Sequence, residues 1–90
     1  MITKPLLIKG DKLIINFSTS AAGYIKAELL DTNGNPIKGF ELENANETIG
    51  NEIAKQVSWK GNSGLKQLNG KPIRIRFVMK DANLYSIKFE

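Results

Sequence analysis

Glu41, Glu43, Glu47 and Glu52 lie close together with no base between them. Paired carboxylates are the usual equipment for glycoside hydrolysis, where two must face each other across the scissile bond. Carboxylate pairs exist as Glu41/Glu43 and Glu47/Glu52, but Glu41 and Glu43 share a strand face or a loop, and a 90-residue sandwich rarely offers the cleft that such a pair must face across. The sequence contains no histidine and no cysteine. That removes the commonest general base, the thiolate nucleophile and the thiolate metal site. Ser–Lys pairs exist, but no motif supports one. No catalytic residue is assigned, and these residues are read as non-enzymatic.

Two weaker constellations could bind. Asp31, Asn33 and Asn35 place oxygen side chains at alternate positions, as a hard cation such as Ca²⁺ would want. The same residues flanking Gly34 suit a tight turn in which Asp and Asn bond their own backbone, so a turn and a weak Ca²⁺ site are both open. No other cofactor is expected. Tyr24, Lys26 and Glu28 share the face opposite Ile25, Ala27 and Leu29. An exposed ring flanked by polar groups is how sugars are held, so Tyr24 with Lys26 and Glu28 is the candidate carbohydrate-binding set.

The elements that must position these residues read as strands. Ile73, Ile75, Phe77 and Met79 alternate with Arg74, Arg76, Val78 and Lys80, and Tyr85, Ile87 and Phe89 alternate with Ser86, Lys88 and Glu90. Successive strand side chains point to opposite faces, so each run has a core face and a wet face. The break at Asp81-Ala82-Asn83 predicts a hairpin. Phe77 then lies opposite Arg74 and Arg76, which argues against a stacking platform for nucleic acid.

Upstream, Leu6 to Lys9 reads as a short edge strand and Lys12 to Ser18 as a second. Thr19 to Gly23 reads as a loop and Tyr24 to Leu30 as a third strand. Asn33-Gly34 predicts a hairpin turn with a returning strand from Ile37 to Leu42 and a bulge at Gly39. Glu43 to Asn51 reads as a surface loop. Ile53 to Lys60 reads as a strand with Ile53, Val57 and Trp59 on one face, broken by Gly61-Asn62-Ser63-Gly64. Leu65 to Leu68 suits one helical turn. Six or seven short strands with little or no helix predict an all-β fold, a small antiparallel β-sandwich of six to eight strands, jelly-roll or Ig-like. Its expected core is Leu13, Ile15, Phe17, Ile25, Leu29, Val57, Trp59, Ile73, Ile75, Phe77, Tyr85, Ile87 and Phe89.

Ninety residues make one domain, 1–90. The net charge of +4 is moderate. No apolar run approaches the ~20 residues of a membrane helix, and no membrane partner is expected. The start lacks the apolar length of a secretory signal, so the chain either is not exported by that route or is part of something larger.

Thr19-Ser20-Ala21-Ala22-Gly23-Tyr24-Ile25, Leu29-Leu30-Asp31 and Gly34-Asn35-Pro36-Ile37 form one half of a pattern. Val57-Ser58-Trp59-Lys60-Gly61, Gly70-Lys71-Pro72, Arg74-Ile75-Arg76-Phe77 and Lys80-Asp81-Ala82-Asn83-Leu84-Tyr85-Ser86 form the other. Together they resemble the C-terminal β-sandwich accessory domain of bacterial proteins of the glycoside hydrolase 32/43-like, five-bladed propeller type. The likeness covers nearly the whole chain after Leu6. It implies the C-terminal part of a longer protein, extracellular or periplasmic if exported. It also implies catalytic carboxylates upstream, and as partners the catalytic domain of the same chain and a polysaccharide. A free-standing protein-interaction module is the alternative. The family's segment matching Glu43 to Asn51 is richer in Asp and carries a Cys, where this chain has Asn44, Ala45, Asn46 and Asn51.

Overall fold

The computed structural model describes residues 1–61 and 64–90, with the backbone alone at positions 52 and 53. The expected facing of Ile53, the carboxylate of Glu52 and the Asn62-Ser63 part of the predicted break lie outside the described residues. Among the described residues four strands form one antiparallel sheet: β1 (Leu6–Leu7), β2 (Leu13–Leu30), β3 (Asn51–Val57) and β4 (Pro72–Phe89), in the order β1-β4-β2-β3. Two single turns of 3₁₀ helix interrupt the loops, η1 (Leu42–Asn44) and η2 (Lys66–Leu68). The second sits where one helical turn is expected. The all-β, antiparallel character holds, but as one curled sheet.

The strands are fewer than expected because two predicted breaks are bends inside continuous strands. Ser20 to Gly23 is not a free loop, and Asp81-Ala82-Asn83 is not a hairpin turn. Thr19 pairs with Ala82 and Tyr24 with Lys80, so four residues of β2 stand opposite Asp81 alone. Asp81 takes a positive φ of 46°, tolerable for Asp, and Gly23 lies against the carbonyls of Lys80 and Asp81 where a Cβ has no room. Thr19 fixes the corner: its N–H donates to Gly50 O at 2.7 Å, and its hydroxyl accepts the Gly50 N–H at 2.9 Å. An oversized bulge of this kind bends and twists the ribbon. It curls both halves of β2 and β4 around one core.

That core contains Leu13, Ile15, Phe17, Ile25, Ala27, Leu29, Ile73, Ile75 and Phe77 from the ribbon. Val57 of β3 and Ile8, Phe40, Trp59, Leu65 and Leu68 of the connections close it. Phe40 is fully buried. Its ring meets Trp59 edge-on at 5.2 Å between centroids, and Trp59 Nε1 donates to Ala27 O at 2.8 Å. Ile87 and Phe89 pack against the core while partly exposed.

Tyr85 departs from the expected core: it is 67% exposed. Phe17 pairs with Leu84 and Asn16 with Ser86, so Tyr85 is an extra residue with no partner across the ladder. The inward positions run Ile73, Ile75, Phe77, then Ala82 and Leu84, then Ile87 and Phe89. The bulge at Tyr85 resets the phase and turns its ring out.

No strand returns over Ile37 to Leu42. Pro36 makes a single bridge to Leu30, the Leu29 carbonyl accepts the Ile37 N–H, and Leu29 N–H donates to Phe40 O. Gly39, at φ 91°, turns the chain there in place of the expected bulge. The Glu43 to Asn51 connection is a surface loop pinned by bridges from Ala45 to Trp59 and from Thr48 to Ile25.

Candidate functional site

Asp31, Asn33 and Asn35 are brought together as a turn. One carboxylate oxygen of Asp31 accepts the N–H of Asn33 at 2.9 Å and of Asn35 at 3.0 Å, and the Asp31 carbonyl accepts the Gly34 N–H. Asp31 is the one carboxylate in the set and already holds two donors, where Ca²⁺ wants six to eight oxygens. Among the described residues no group of three or more acidic, His or Cys side chains could hold a metal. Millimolar Ca²⁺ is expected to leave the melting temperature unchanged in a thermal scan; a rise of several degrees would establish the cation site instead.

Tyr24, Lys26 and Glu28 do share the outer face of β2, but they do not form one open platform. Tyr24 is half-buried, and the Lys26 ammonium lies over its ring at 5.6 Å from the centroid. Glu28 is 6% exposed. One of its oxygens accepts the Leu42 N–H at 3.0 Å, and the other faces Arg76 Nη1 at 3.5 Å, the residue directly across the ladder. Glu28 therefore anchors the start of η1 and is spoken for. A depression of about 460 Å³ opens beside it, lined by Lys26, Glu28, Pro36, Glu41, Leu42 and Glu43.

Glu41 on that rim is held below the usual carboxylate range. The main cause is the Gly39 N–H, which donates to it at 2.7 Å, followed by its own backbone N–H; the Asn44 amide, at 3.0 Å, adds less. A carboxyl depressed in the folded state stabilises the fold above its unfolded pKa, and that contribution is lost as pH falls through the folded value. Glu41 thus organises its loop, and Glu43 stands beside it on the same rim.

The feature missed by sequence reasoning is on the other half of the ribbon's outer face. Tyr85 stands out from the sheet with its hydroxyl 3.0 Å from Ser18 Oγ. The cross-strand pairs Ser18–Asn83 and Asn16–Ser86 surround it, and Asn16 Nδ2 donates to Ser86 Oγ at 2.9 Å. Asn16 is fixed from its other end by the Ala54 N–H, at 2.8 Å. The signal was present in the inward pair Ala82 and Leu84, whose phase is incompatible with Tyr85 also facing in.

Apolar surface gathers on the N-terminal edge. Residues 1 to 3 extend the sheet past β1, with Thr3 N–H donating to Ile75 O and Phe77 N–H to Met1 O. Met1 is 64% exposed, and Ile2 and Leu7 are each 55% exposed. A depression of about 270 Å³ runs from Met1 and Thr3 over Phe77 to Leu84, Tyr85, Ser86 and Ile87, so it joins this edge to the Tyr85 surface. Beyond Phe77 the side of β4 away from β2 has no strand partner among the described residues.

No family model, curated protein or solved structure matches the chain.

Proposed function

We propose that this chain is a non-catalytic β-sandwich accessory domain of a carbohydrate-active enzyme, packed through its N-terminal edge on the catalytic domain of the same polypeptide. The observation that carries the reading is the exposure of Met1, Ile2 and Leu7 along one edge. Exposed apolar residues gathered on one edge mark a surface that another body covers. The resemblance of the second half of the chain to the accessory domain of propeller-type hydrolases names that body.

A second role on this reading is to help hold polysaccharide. It is favoured by the two tyrosines on the outer face of the ribbon, of which Tyr85 is largely exposed. The free-standing interaction module remains the competing reading, and one measurement separates the two. An immunoblot of native cells with an antibody to this domain is expected to show a band several times larger than 10.0 kDa. A band at the size of the chain itself would remove the hydrolase link and leave the apolar edge as a site for a separate protein.

The packing contact has its own test. In the longer polypeptide, the Ile2→Ser, Leu7→Ser double variant is expected to separate the melting of this domain from that of its neighbour in a calorimetric scan. A single transition, unchanged from wild type, would exclude that edge as the interface.

A further inference from the structure

We propose that Tyr85 is the stacking platform of a binding site for a neutral glycan, built on the outer face of the bent half of the β2–β4 ribbon. The inference rests on the polysaccharide role just described and moves it from Tyr24 to a different place. The ring is 67% exposed, against the half-buried ring of Tyr24 with a lysine over it. Its presentation is built in. The extra residue in β4 aims the side chain outward, and the hydroxyl contact with Ser18 at 3.0 Å restricts the ring's rotation. Bulges of this kind are a recurrent way of aiming a side chain at a ligand. A ring held in place loses little further freedom when a ligand stacks on it.

The surroundings select the ligand class. Ser18 touches the Tyr85 hydroxyl, and the cross-strand positions Asn83, Asn16 and Ser86 flank it, all uncharged groups that both donate and accept hydrogen bonds. Phe77, Leu84 and Ile87 line the depression that the ring shares. Of the two hydroxyls in the Tyr85–Ser18 contact only one proton is used, so the other remains for a ligand. The Asn83 side-chain amide has no partner among the described residues and is exposed. A sugar ring presents C–H groups on one face and hydroxyls around its rim, which matches an aromatic face bordered by amides and hydroxyls. A hollow of about 250 Å³ begins at Asn16 and Ser86 and extends to Ile14, Ala54 and Lys88. It falls below the ~300–1,000 Å³ of an enclosing ligand pocket, which suits surface contact with part of a chain rather than capture of a small molecule. Nucleic acid fits less well. Its platforms set several rings among bases, whereas here one ring stands among amides. An extended peptide would need a free ladder edge, and this face lies between two paired strands.

The test is affinity electrophoresis of this chain in native gels containing one of four neutral polysaccharides: mannan, mixed-linkage β-glucan, xylan and levan. Retardation is expected in at least one, and Tyr85→Ala is expected to weaken it by roughly ten-fold or more, as loss of a central aromatic anchor does. Tyr85→Phe keeps the ring but loses its tether, and is expected to fall between the two. The melting temperature of each variant, measured alongside, is expected to stay near wild type because the side chain is exposed. Retardation by none of the four, or retardation indifferent to Tyr85→Ala, overturns the proposal. Retardation abolished by Tyr24→Ala and not by Tyr85→Ala keeps the polysaccharide role and removes Tyr85 from it. Binding only to polygalacturonate would replace the neutral ligand with an acidic one. The immunoblot reports on the parent enzyme separately, so failure of this site and failure of the accessory-domain reading are told apart.

Discussion

Trp59→Ala is expected to destabilise the domain by about 3–5 kcal/mol, the usual consequence of emptying a buried aromatic site. The side chain is 2% exposed and lies where loop and sheet meet. Its indole packs edge-on against Phe40 at 5.2 Å and donates to the Ala27 carbonyl in the middle of β2 at 2.8 Å. Truncation therefore removes the transfer energy of the ring, leaves a cavity beside Phe40 and strips a buried carbonyl of its donor. Trp59→Phe separates these effects: most of the apolar volume stays while the hydrogen bond goes, at about 1–3 kcal/mol. Urea unfolding monitored by far-ultraviolet circular dichroism measures both, since the single tryptophan is itself replaced. A loss below ~1 kcal/mol for the Ala variant would place the indole on the surface. A domain of this size holds only ~5–15 kcal/mol in total, so the Ala variant is expected to be partly unfolded at 37 °C.

Gly23→Ala carries the second large effect, though it adds one methyl group. An added Cβ would stand 2.6 Å from the Asp81 carbonyl oxygen and still nearer that of Lys80. Neither neighbour is a flexible side-chain end: both are backbone of the strand that β2 pairs with. Relief requires β2 and β4 to separate at the corner where the ribbon turns. Overpacking into a well-filled site costs about 1–3 kcal/mol, and a backbone obstacle puts this case at or above the upper figure. The expected reading is a lowered urea midpoint with amide exchange accelerated first around Thr19 and Ala82. An unchanged midpoint would mean that the corner opens without cost, and the description of one continuous bent ribbon would fail with it.

Gly23 also shows where the sequence was legible and where it was not. The alternation of Leu13, Ile15 and Phe17, of Ile25 and Leu29, and of Ile73, Ile75 and Phe77 named the inward residues correctly, because side-chain period on a strand is a local property. The small residues Ser20, Ala21, Ala22 and Gly23 read as a loop for an equally local reason: nothing in them says that Asp81 stands opposite. A corner shared by two strands is a pairing property, and so is the bulge that turns Tyr85 outward. The fate of Glu28 was hidden in the same way. Its alternation put it on the wet face, but the η1 backbone and Arg76 reach it from distant parts of the chain. Asp31 was legible because its partners, Asn33 and Asn35, lie within the same short segment.

The sheet order has a consequence for how the protein is made. β4 lies between β1 and β2, yet it is synthesised after both and after every loop residue that buries against it. Until Pro72 to Phe89 have left the ribosome, β1 has no strand to join, β2 can pair only with β3 and the loop bridges, and Ile73, Ile75 and Phe77 are missing from the core. Chains built mainly on such distant pairings fold slowly, because the entropy of closing the long loop is lost before any contact repays it. The nascent chain thus spends its elongation with the longest ladder of the sheet, between β2 and β4, unformed. Folding of this domain is set by release of its last strand rather than by gradual growth from its first.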